Sequence, residues 1–333
     1  MKYLNEFIHY LLYNPLVLRF RLAFTSSQGR KKQLKNRAVS FPLFGYLWVF
    51  LIYRNIYFIK TLYCKLFRPK KIKISIIIPT YNARGSVRKA FDSVIQQKVD
   101  FNFKIIFTDD ASTDGTQEVL KGIQSEWPDV VELVLRDKNK GIPNNQYETV
   151  VNRVDSEYFT ILDDDDYWTD LNKLQTQIDT LDRNLYCSIC SHVTRRIFDL
   201  EGKMYELFPK VKAGIYHFPI NSHVSSKVFR WTYINFISKK NEPALIDDSA
   251  NSKLALVVGT HAFIDKEMSV YTDLGKGVWT GKDKEFQKEL ALIGNTRIYK
   301  YSYGCFVKTK NIDFDILKRS KYIAKLEEEY SKK

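Results

Sequence analysis

Residues 72–82 read IKISIIIPTYN, and this stretch determines the class of the fold. Its β-branched run at 74–78 is apolar at four of five positions and is followed by Pro79, which cannot donate a ladder hydrogen bond. Continuous apolar runs of this kind are typical of strands that are buried on both faces of a parallel sheet. The polar residues at 80–82 are therefore expected at the carboxyl end of a buried strand.

Strands and helices alternate downstream of this run. Further strands are predicted at 103–107, 130–135 and 158–162, and helices at 116–127, at 143–154 and after Ser86. This alternation predicts βαβ units and a parallel sheet, in which ligands bind beyond the carboxyl ends of the strands. A polar cluster follows three of the four strands, at 79–82, 109–113 and 163–166. We expect the three clusters to meet at one edge of the sheet.

The third cluster consists of four consecutive aspartates, Asp163 to Asp166. None of the strand ends carries the glycine-rich loop of dinucleotide enzymes or P-loop NTPases, which disfavours both classes. On an extended chain, Asp163 and Asp165 would point one way and the other two aspartates the opposite way. One such pair is suited to Mg²⁺ that bridges to a diphosphate. The alternative is a solvated acidic loop that caps a helix starting near Leu171.

Three stretches together resemble family 2 glycosyltransferases of the GT-A fold: SIIIPTYN at 75–82, DDASTDGT at 109–116 and LDDDDYW at 162–168. The resemblance implies an α/β fold with a mostly parallel, Rossmann-like sheet flanked by helices. It implies a nucleotide-sugar-binding half at 72–182 and an acceptor-binding half at 183–310. An N-terminal amphipathic helical extension at 1–71 and a C-terminal amphipathic helix at 311–333 lie outside it.

The resemblance also implies roles for individual residues of the first half. Thr80 and Tyr81 would line the nucleobase pocket, with Tyr81 stacking on the base. Asp110 would accept a hydrogen bond from the imide of the base, with Asp109 beside it. The DxD motif would begin at Asp163, near the ribose and the metal. The remaining nucleotide contact would be Asp164, and the further ligand to Mg²⁺ or Mn²⁺ would be Asp165.

The second half should supply the catalytic base and the acceptor site. In the family the base begins a helix 11 residues before a glycine equivalent to Gly259, which selects Asp248; Asp247 and Asp283 remain alternatives. The segment at 223–230 resembles the lining of the sugar and acceptor site. The residues expected there are His223, Ser225 and, from the end of the acidic motif, Trp168.

The N-terminal segment is basic and apolar. Residues 1–73 hold 15 Lys and Arg but a single acid, Glu6, whereas the rest of the chain is balanced. Because the basic residues lie outside the folded part, a nucleic-acid partner is disfavoured. We expect 1–71 to lie on an anionic membrane surface at the cytoplasmic face. For 41–63 a tilted span, or helices docked on the globular body, are the alternatives.

Together these features predict an inverting, metal-dependent glycosyltransferase. It would transfer one sugar from a nucleotide sugar, UDP-linked, to a glycan or lipid-linked glycan in cell-surface polysaccharide or lipopolysaccharide biosynthesis. Two alternatives remain: a nucleotidyltransferase that acts on a sugar phosphate, and a non-catalytic membrane scaffold that retains the fold.

Overall fold

The computed structural model describes residues 43–67, 70–199, 202–216, 220–232 and 259–273. Asp247, Asp248 and Asp283, and the helix predicted at 311–333, lie outside the described residues. The chain divides into two compact units, 1–55 and 56–333. The sequence suggests that the N-terminal extension ends at residue 71, whereas this division assigns 56–71 to the larger unit.

Strands and helices alternate as far as the fourth strand, and the second part is richer in strands. In chain order the described elements are α1 (Leu43–Phe67), β1 (Ile74–Thr80), α2 (Val87–Ile95), β2 (Phe103–Asp109), α3 (Thr116–Glu126), β3 (Val131–Leu135), α4 (Ile142–Arg153), β4 (Tyr158–Ile161), β5 (Tyr167–Trp168), α5 (Lys173–Arg183), β6 (Cys187–Ile197), β7 (Tyr205–Phe208), β8 (Gly214–Tyr216), a 3₁₀ turn (Val224–Ser226), β9 (Val228–Arg230) and β10 (Thr260–Thr272).

The first four strands form the parallel part of the sheet, in the order β3-β2-β1-β4. The isoleucines of β1 are fully buried, as expected for a central strand that is covered on both faces. Its register pairs Thr80 with Asp109, so the polar clusters after β1 and β2 begin side by side. The predicted parallel arrangement and the convergence of these clusters are confirmed.

The sheet becomes mixed beyond β4. It continues in the order β9-β6-β10-β5, with β9 antiparallel to both neighbours and β6 parallel to β10. The pairing of β10 with β5 aligns Ser269 with Trp168, which brings the residues after the acidic cluster to the end of β10. Gly259, at the start of β10, passes so close to Tyr186 that a Cβ would lie 2.7 Å from that carbonyl oxygen. Glycine is therefore required there.

Amphipathic helices cover the sheet and build the core. Each of α2, α3 and α5 has an apolar stripe at helical spacing that is buried, while its other face is polar. These buried residues are Val87, Ala90, Phe91 and Val94 of α2, Leu120 and Ile123 of α3, and Leu174, Ile178 and Leu181 of α5. They pack on the isoleucines of β1 and on β2, and this cluster is the main hydrophobic core.

The last three turns of α1 belong to the larger unit and pack on the rest of it. Tyr57, Phe58 and Thr61 are buried, and the Phe58 ring stacks on Tyr186 with centroids 4.3 Å apart. Lys65 pairs with Asp182 at 3.1 Å. This part of 41–63 is therefore a docked helix, which was one of the three alternatives. Among the described residues, no helix combines the length and apolarity needed to cross a bilayer.

Arg230 is a buried cation that joins several elements at the amino ends of the parallel strands. Its guanidinium donates to the Tyr158 hydroxyl and to the carbonyl oxygens of Cys187 and Leu181 at 2.7–3.2 Å. The Tyr158 hydroxyl in turn donates to Asp182 at 2.6 Å. Arg230 is therefore a structural residue.

We predict that Arg230→Leu lowers the free energy of unfolding by about 3–5 kcal/mol, because it leaves buried acceptors without a donor. The matched control is Arg183→Leu, since the Arg183 side chain is 73% exposed and pairs only weakly with Asp179 at 3.5 Å. That variant should change stability by less than about 1 kcal/mol. Urea unfolding of both variants measures the difference, and equal effects would contradict the structural role of Arg230.

Candidate functional site

The loops that follow β1 and β2 are joined by hydrogen bonds between backbone and side chains. Three consecutive backbone N–H groups of the first loop, at 82–84, donate to Ser112, Thr116 and Asp114 of the second at 2.8–3.1 Å. In return, the Thr113 N–H donates to the Asn82 side chain at 2.9 Å. Each loop also contains a non-glycine residue with positive φ, Asn82 at 52° and Ala111 at 62°. The two loops therefore form one rigid unit.

The two adjacent aspartates after β2 have different surroundings. Asp109 is fully buried, and its carboxylate accepts from the Thr80 hydroxyl, the Ser112 N–H and Gln117 at 2.7–3.1 Å. Asp110 accepts from the backbone N–H groups of Lys140 and Gly141, both at 2.8 Å. Asp109 therefore holds the loop in shape, and Asp110 ties it to the segment after β3.

Tyr81 lies beside the acidic cluster. Its side chain is 50% exposed, in contrast to Thr80, which is buried. The Tyr81 N–H donates to the Asp164 carboxylate at 3.1 Å. Burial and the charge of Asp165 raise the pKa of Asp164 to about 7. The clusters after β1, β2 and β4 are thus brought together, with an exposed aromatic ring at their margin.

The acidic cluster is a tight turn, and the expected alternation of its side chains is wrong. The Asp166 N–H donates to the Asp163 carbonyl at 3.1 Å, so the chain reverses instead of running extended. The turn brings Asp163 and Asp166 to the same side, where their carboxylate oxygens and a ring nitrogen of His223 lie within 4.8 Å of one another. Asp165 is exposed and lies outside this group of three.

Asp166 connects the acidic turn to the second part of the sheet. It is buried and accepts hydrogen bonds from the Ser225 hydroxyl and from the Thr272 N–H. Burial, together with the charges of Asp163 and Asp165, raises the pKa of Asp166 well above its usual value. Sequence reasoning gave Asp166 no role of its own, because only the fold brings Ser225 and Thr272 to it.

His223 is held against this carboxylate. Its ring stacks on Tyr271 with centroids 4.0 Å apart, and its Nδ1 lies 3.2 Å from an Asp166 oxygen. Burial and the nearby Lys227 lower the pKa of His223 to about 3, so the ring is neutral. The same Nδ1 accepts from the Ser225 N–H at 3.4 Å. Two acceptors therefore face each other, an arrangement that a proton or a cation stabilises.

Ser225 and Trp168, which the sequence assigned to the sugar or acceptor site, bind each other. The Trp168 indole N–H donates to the Ser225 carbonyl at 2.9 Å, and both residues are buried. The buried Lys173 ammonium lies 3.9 Å from the centre of the Trp168 ring. In the structure these residues position the acidic turn, and a contact of either with a substrate remains a prediction.

The donor set of the turn fits a hard divalent cation. Several carboxylates are crowded into one place, and those of Asp164 and Asp166 have raised pKa values, so a cation would relieve their mutual repulsion. Carboxylate oxygens are the ligands that Mg²⁺ and Mn²⁺ prefer, and a neutral imidazole is compatible with Mn²⁺. Such a cation would lie near the exposed ring of Tyr81.

The sequence is similar to one known protein family and to parts of several other proteins. The model of the family described as "Glycosyl transferase family 2" matches residues 75–252. An uncharacterised protein of Mycobacterium tuberculosis is 28% identical over 219 residues, which are 62% of this chain and 60% of that protein. The undecaprenol-linked GalNAc(5)-diNAcBac beta-1,3-glucosyltransferase of Campylobacter jejuni is 35% identical over 28% of this chain and 30% of its own length. The chain thus spans less than two thirds of these relatives.

Solved structures share the fold. The crystal structure of residues 1–349 of S. aureus TarS in complex with UDP-GlcNAc has a TM-score of 0.55 and is 16% identical. The similarity covers 74% of this chain and 69% of that one. The GT-A architecture expected from the sequence is therefore confirmed.

The buried Lys173 leads to a prediction about pH. Burial lowers its pKa from 10.5 to about 7, so between these values the unfolded chain binds one more proton than the folded protein. The free energy of unfolding should therefore rise with pH above 7, by up to about 1.4 kcal/mol per pH unit from this group. Lys173→Met should remove this contribution.

Urea unfolding between pH 7 and 8.5 tests this prediction. Lys121→Met, at an exposed position of α3, is the matched control and should retain the wild-type slope. If Lys173→Met also retained that slope, Lys173 would be charged in the folded protein at neutral pH.

Proposed function

Since the chain belongs to glycosyl transferase family 2, we propose that it transfers one sugar, with inversion, from a UDP-linked donor to a hydroxyl of a lipid-linked glycan. The observation that carries the proposal is the meeting of the three polar clusters at one edge, with the acidic turn bonded to Tyr81. On this proposal Tyr81 stacks on the nucleobase. Asp110, already fixed by two backbone donors, accepts from the imide of the base.

The proposed cation ligands are Asp163 and Asp165. A cation that also binds a diphosphate has to be accessible, and Asp165 is exposed, whereas Asp166 is buried and already bonded to Ser225 and Thr272. Bound there, Mg²⁺ or Mn²⁺ would neutralise the charge of the departing diphosphate. Asp166 and His223 would hold the turn in shape from its buried side.

We expect Asp163→Asn and Asp165→Asn each to lower the affinity for Mn²⁺ in the presence of UDP by at least about tenfold, because each removes a charged ligand. His223→Gln should stay near the wild-type affinity. Isothermal titration with Mn²⁺ measures both, and Asp129→Asn, at an exposed loop position, is the matched control. If His223→Gln lost affinity for Mn²⁺ and Asp165→Asn did not, the cation would instead be bound by Asp163, Asp166 and His223.

The proposed reaction is a direct displacement at the anomeric carbon. The acceptor oxygen forms the new bond as the bond from that carbon to the diphosphate oxygen breaks, and the electron pair leaves with the nucleoside diphosphate. The hydroxyl proton passes to a carboxylate, for which we propose Asp248, with Asp247 as its neighbour. The inward-facing Tyr271 and His223 would form the wall between the turn and the acceptor.

We expect Asp248→Asn to lower sugar transfer by at least about 100-fold, because a general base contributes about 10²–10⁴ to the rate. The measurement is release of UDP from UDP-sugars with Mn²⁺ and a bacterial lipid extract as the source of acceptor. Asp247→Asn is the control, and unchanged UDP binding by both variants shows that they fold. Release of pyrophosphate would indicate a nucleotidyltransferase, and an unaffected Asp248→Asn would exclude this residue as the base.

Two features support a lipid-linked acceptor at the cytoplasmic face of a membrane. Residues 1–71 are basic and apolar, as expected for contact with anionic lipid. The relative from Campylobacter jejuni is named for an undecaprenol-linked glycan, and one from Mycoplasma pneumoniae, 33% identical over 32% of this chain and 31% of its own length, is named a processive diacylglycerol beta-glycosyltransferase.

A further inference from the structure

The last three turns of α1 have two different faces. One face packs on the rest of the larger unit through Tyr57, Phe58 and Thr61, as described above. The opposite face exposes large apolar side chains at helical spacing, with Ile59 63% and Phe67 69% accessible. These exposed residues, here called the outer face, are Ile56, Ile59, Tyr63, Leu66 and Phe67. A continuous apolar stripe beside a well-packed face is unusual for a surface helix in water.

The α1 segment itself carries charges of one sign. The sequence from 43 to 73 contains seven Lys and Arg and no acidic residue. Lys65 and Lys73 are turned inwards, to Asp182 and Glu157. Lys70 pairs with the exposed Asp155 and is itself still exposed, and Lys71 is exposed just beyond the end of the helix. An apolar stripe bordered by exposed lysines matches the interface of a bilayer that contains anionic lipids, in which apolar side chains insert and lysines reach the headgroups.

The helix contacts the sheet at the amino ends of its parallel strands, which is the end opposite the acidic turn. Its partners, Tyr186, Asp182 and the Arg230 cluster, lie at the amino ends of β4 and β6. The acidic turn begins at Asp163, after the carboxyl end of β4. From Tyr158 to Asp163 the chain advances five residues, which corresponds to about 17 Å along a strand.

We propose that the outer face of α1 rests on an anionic bilayer, with the acidic turn at the sheet edge that faces away from the lipid. This inference deepens the proposed function and rests on it. The buried face fixes α1 to the rest of the larger unit. Contact of the outer face with the membrane therefore sets the distance between the acidic turn and the lipid surface.

This placement selects a class of acceptor. A hydroxyl on the lipid headgroup itself would lie at the membrane surface, about one strand length or more below the acidic turn. A hydroxyl at the outer end of a lipid-linked oligosaccharide reaches that height. The acceptor is therefore a glycan that already carries several sugars, and an earlier class of transferase must build its first, lipid-proximal residues.

The experiment for the outer face is co-sedimentation of the full chain with vesicles of phosphatidylcholine that contain about 30% phosphatidylglycerol. The double variant Ile59→Asp with Phe67→Asp should bind at least about tenfold more weakly than wild type, because two inserted apolar groups are lost. The matched control is Met204→Asp with Ile215→Asp, which changes two apolar residues of similar exposure, 64% and 50%, on other elements. The control should bind like wild type.

Depth measurement tests the orientation. A polarity-sensitive fluorophore is attached to Leu66→Cys or to Thr113→Cys, on the loop after β2, in a chain with Cys64 and Cys305 changed to Ser. On vesicles the fluorophore at position 66 should shift to the blue and be quenched by nitroxide lipids, whereas that at position 113 should do neither. Burial of both labels in lipid, or of the label at 113 alone, would overturn the orientation.

Other outcomes overturn the assignment of the outer face. The first is unchanged vesicle binding by the Ile59/Phe67 double variant, and the second is no vesicle binding by the wild type. The third is a smaller oligomer for the double variant than for the wild type in gel filtration, which would assign the outer face to contact with a second copy of the chain. Cleavage of UDP-sugars without vesicles is measured in the same preparations. If cleavage persists, only the membrane inference fails; if wild type cleaves no UDP-sugar, the proposed function fails.

Discussion

The site depends on the buried carboxylate of Asp166. The residue ends the acidic turn through its own N–H, and its oxygens accept from Ser225 and from the backbone of Thr272. These bonds join β4, the 3₁₀ turn and β10, which are more than 100 residues apart at the extremes. Because a charged group with few partners would be costly at this depth, the two donors and the carboxylate depend on one another.

The same carboxylate explains why the turn favours a positive charge. Four aspartates in a tight turn repel one another, and burial raises the pKa of Asp164 and of Asp166. The fold tolerates this repulsion because the Ser225, Thr272 and Tyr81 donors offset part of it. The negative charge that these donors do not balance lies beside the exposed ring of Tyr81. On the proposed function, a metal-bound nucleoside diphosphate would supply both positive charge for the turn and a flat base for the ring.

The sequence was sufficient for the features that depend on local pattern. The β-branched runs and the polar residues that follow them predicted four parallel strands and the meeting of the clusters, since carboxyl ends of parallel strands share an edge. It failed at Asp163 to Asp166, because alternation assumes an extended chain and a single turn hydrogen bond reverses it. The partners of Ser225 and Trp168 within the protein, Asp166 and each other, were also not foreseen, because they come from distant segments that only folding brings together; a substrate contact of either residue stays a prediction.

For the N-terminal segment, too, the sequence alone could not show which residues are covered by protein. Its composition indicated affinity for an anionic membrane, but composition cannot distinguish which face of a helix is covered by protein. In the structure, Phe58 packs on Tyr186 and Lys65 on Asp182, so one face of the last turns is already covered by protein. The apolar residues that remain outside belong to a helix fixed at the amino edge of the sheet. On the proposed orientation, chemistry at the carboxyl edge of the sheet leaves the opposite edge for attachment to the membrane, and the distance between the two edges is set by the length of a β-strand.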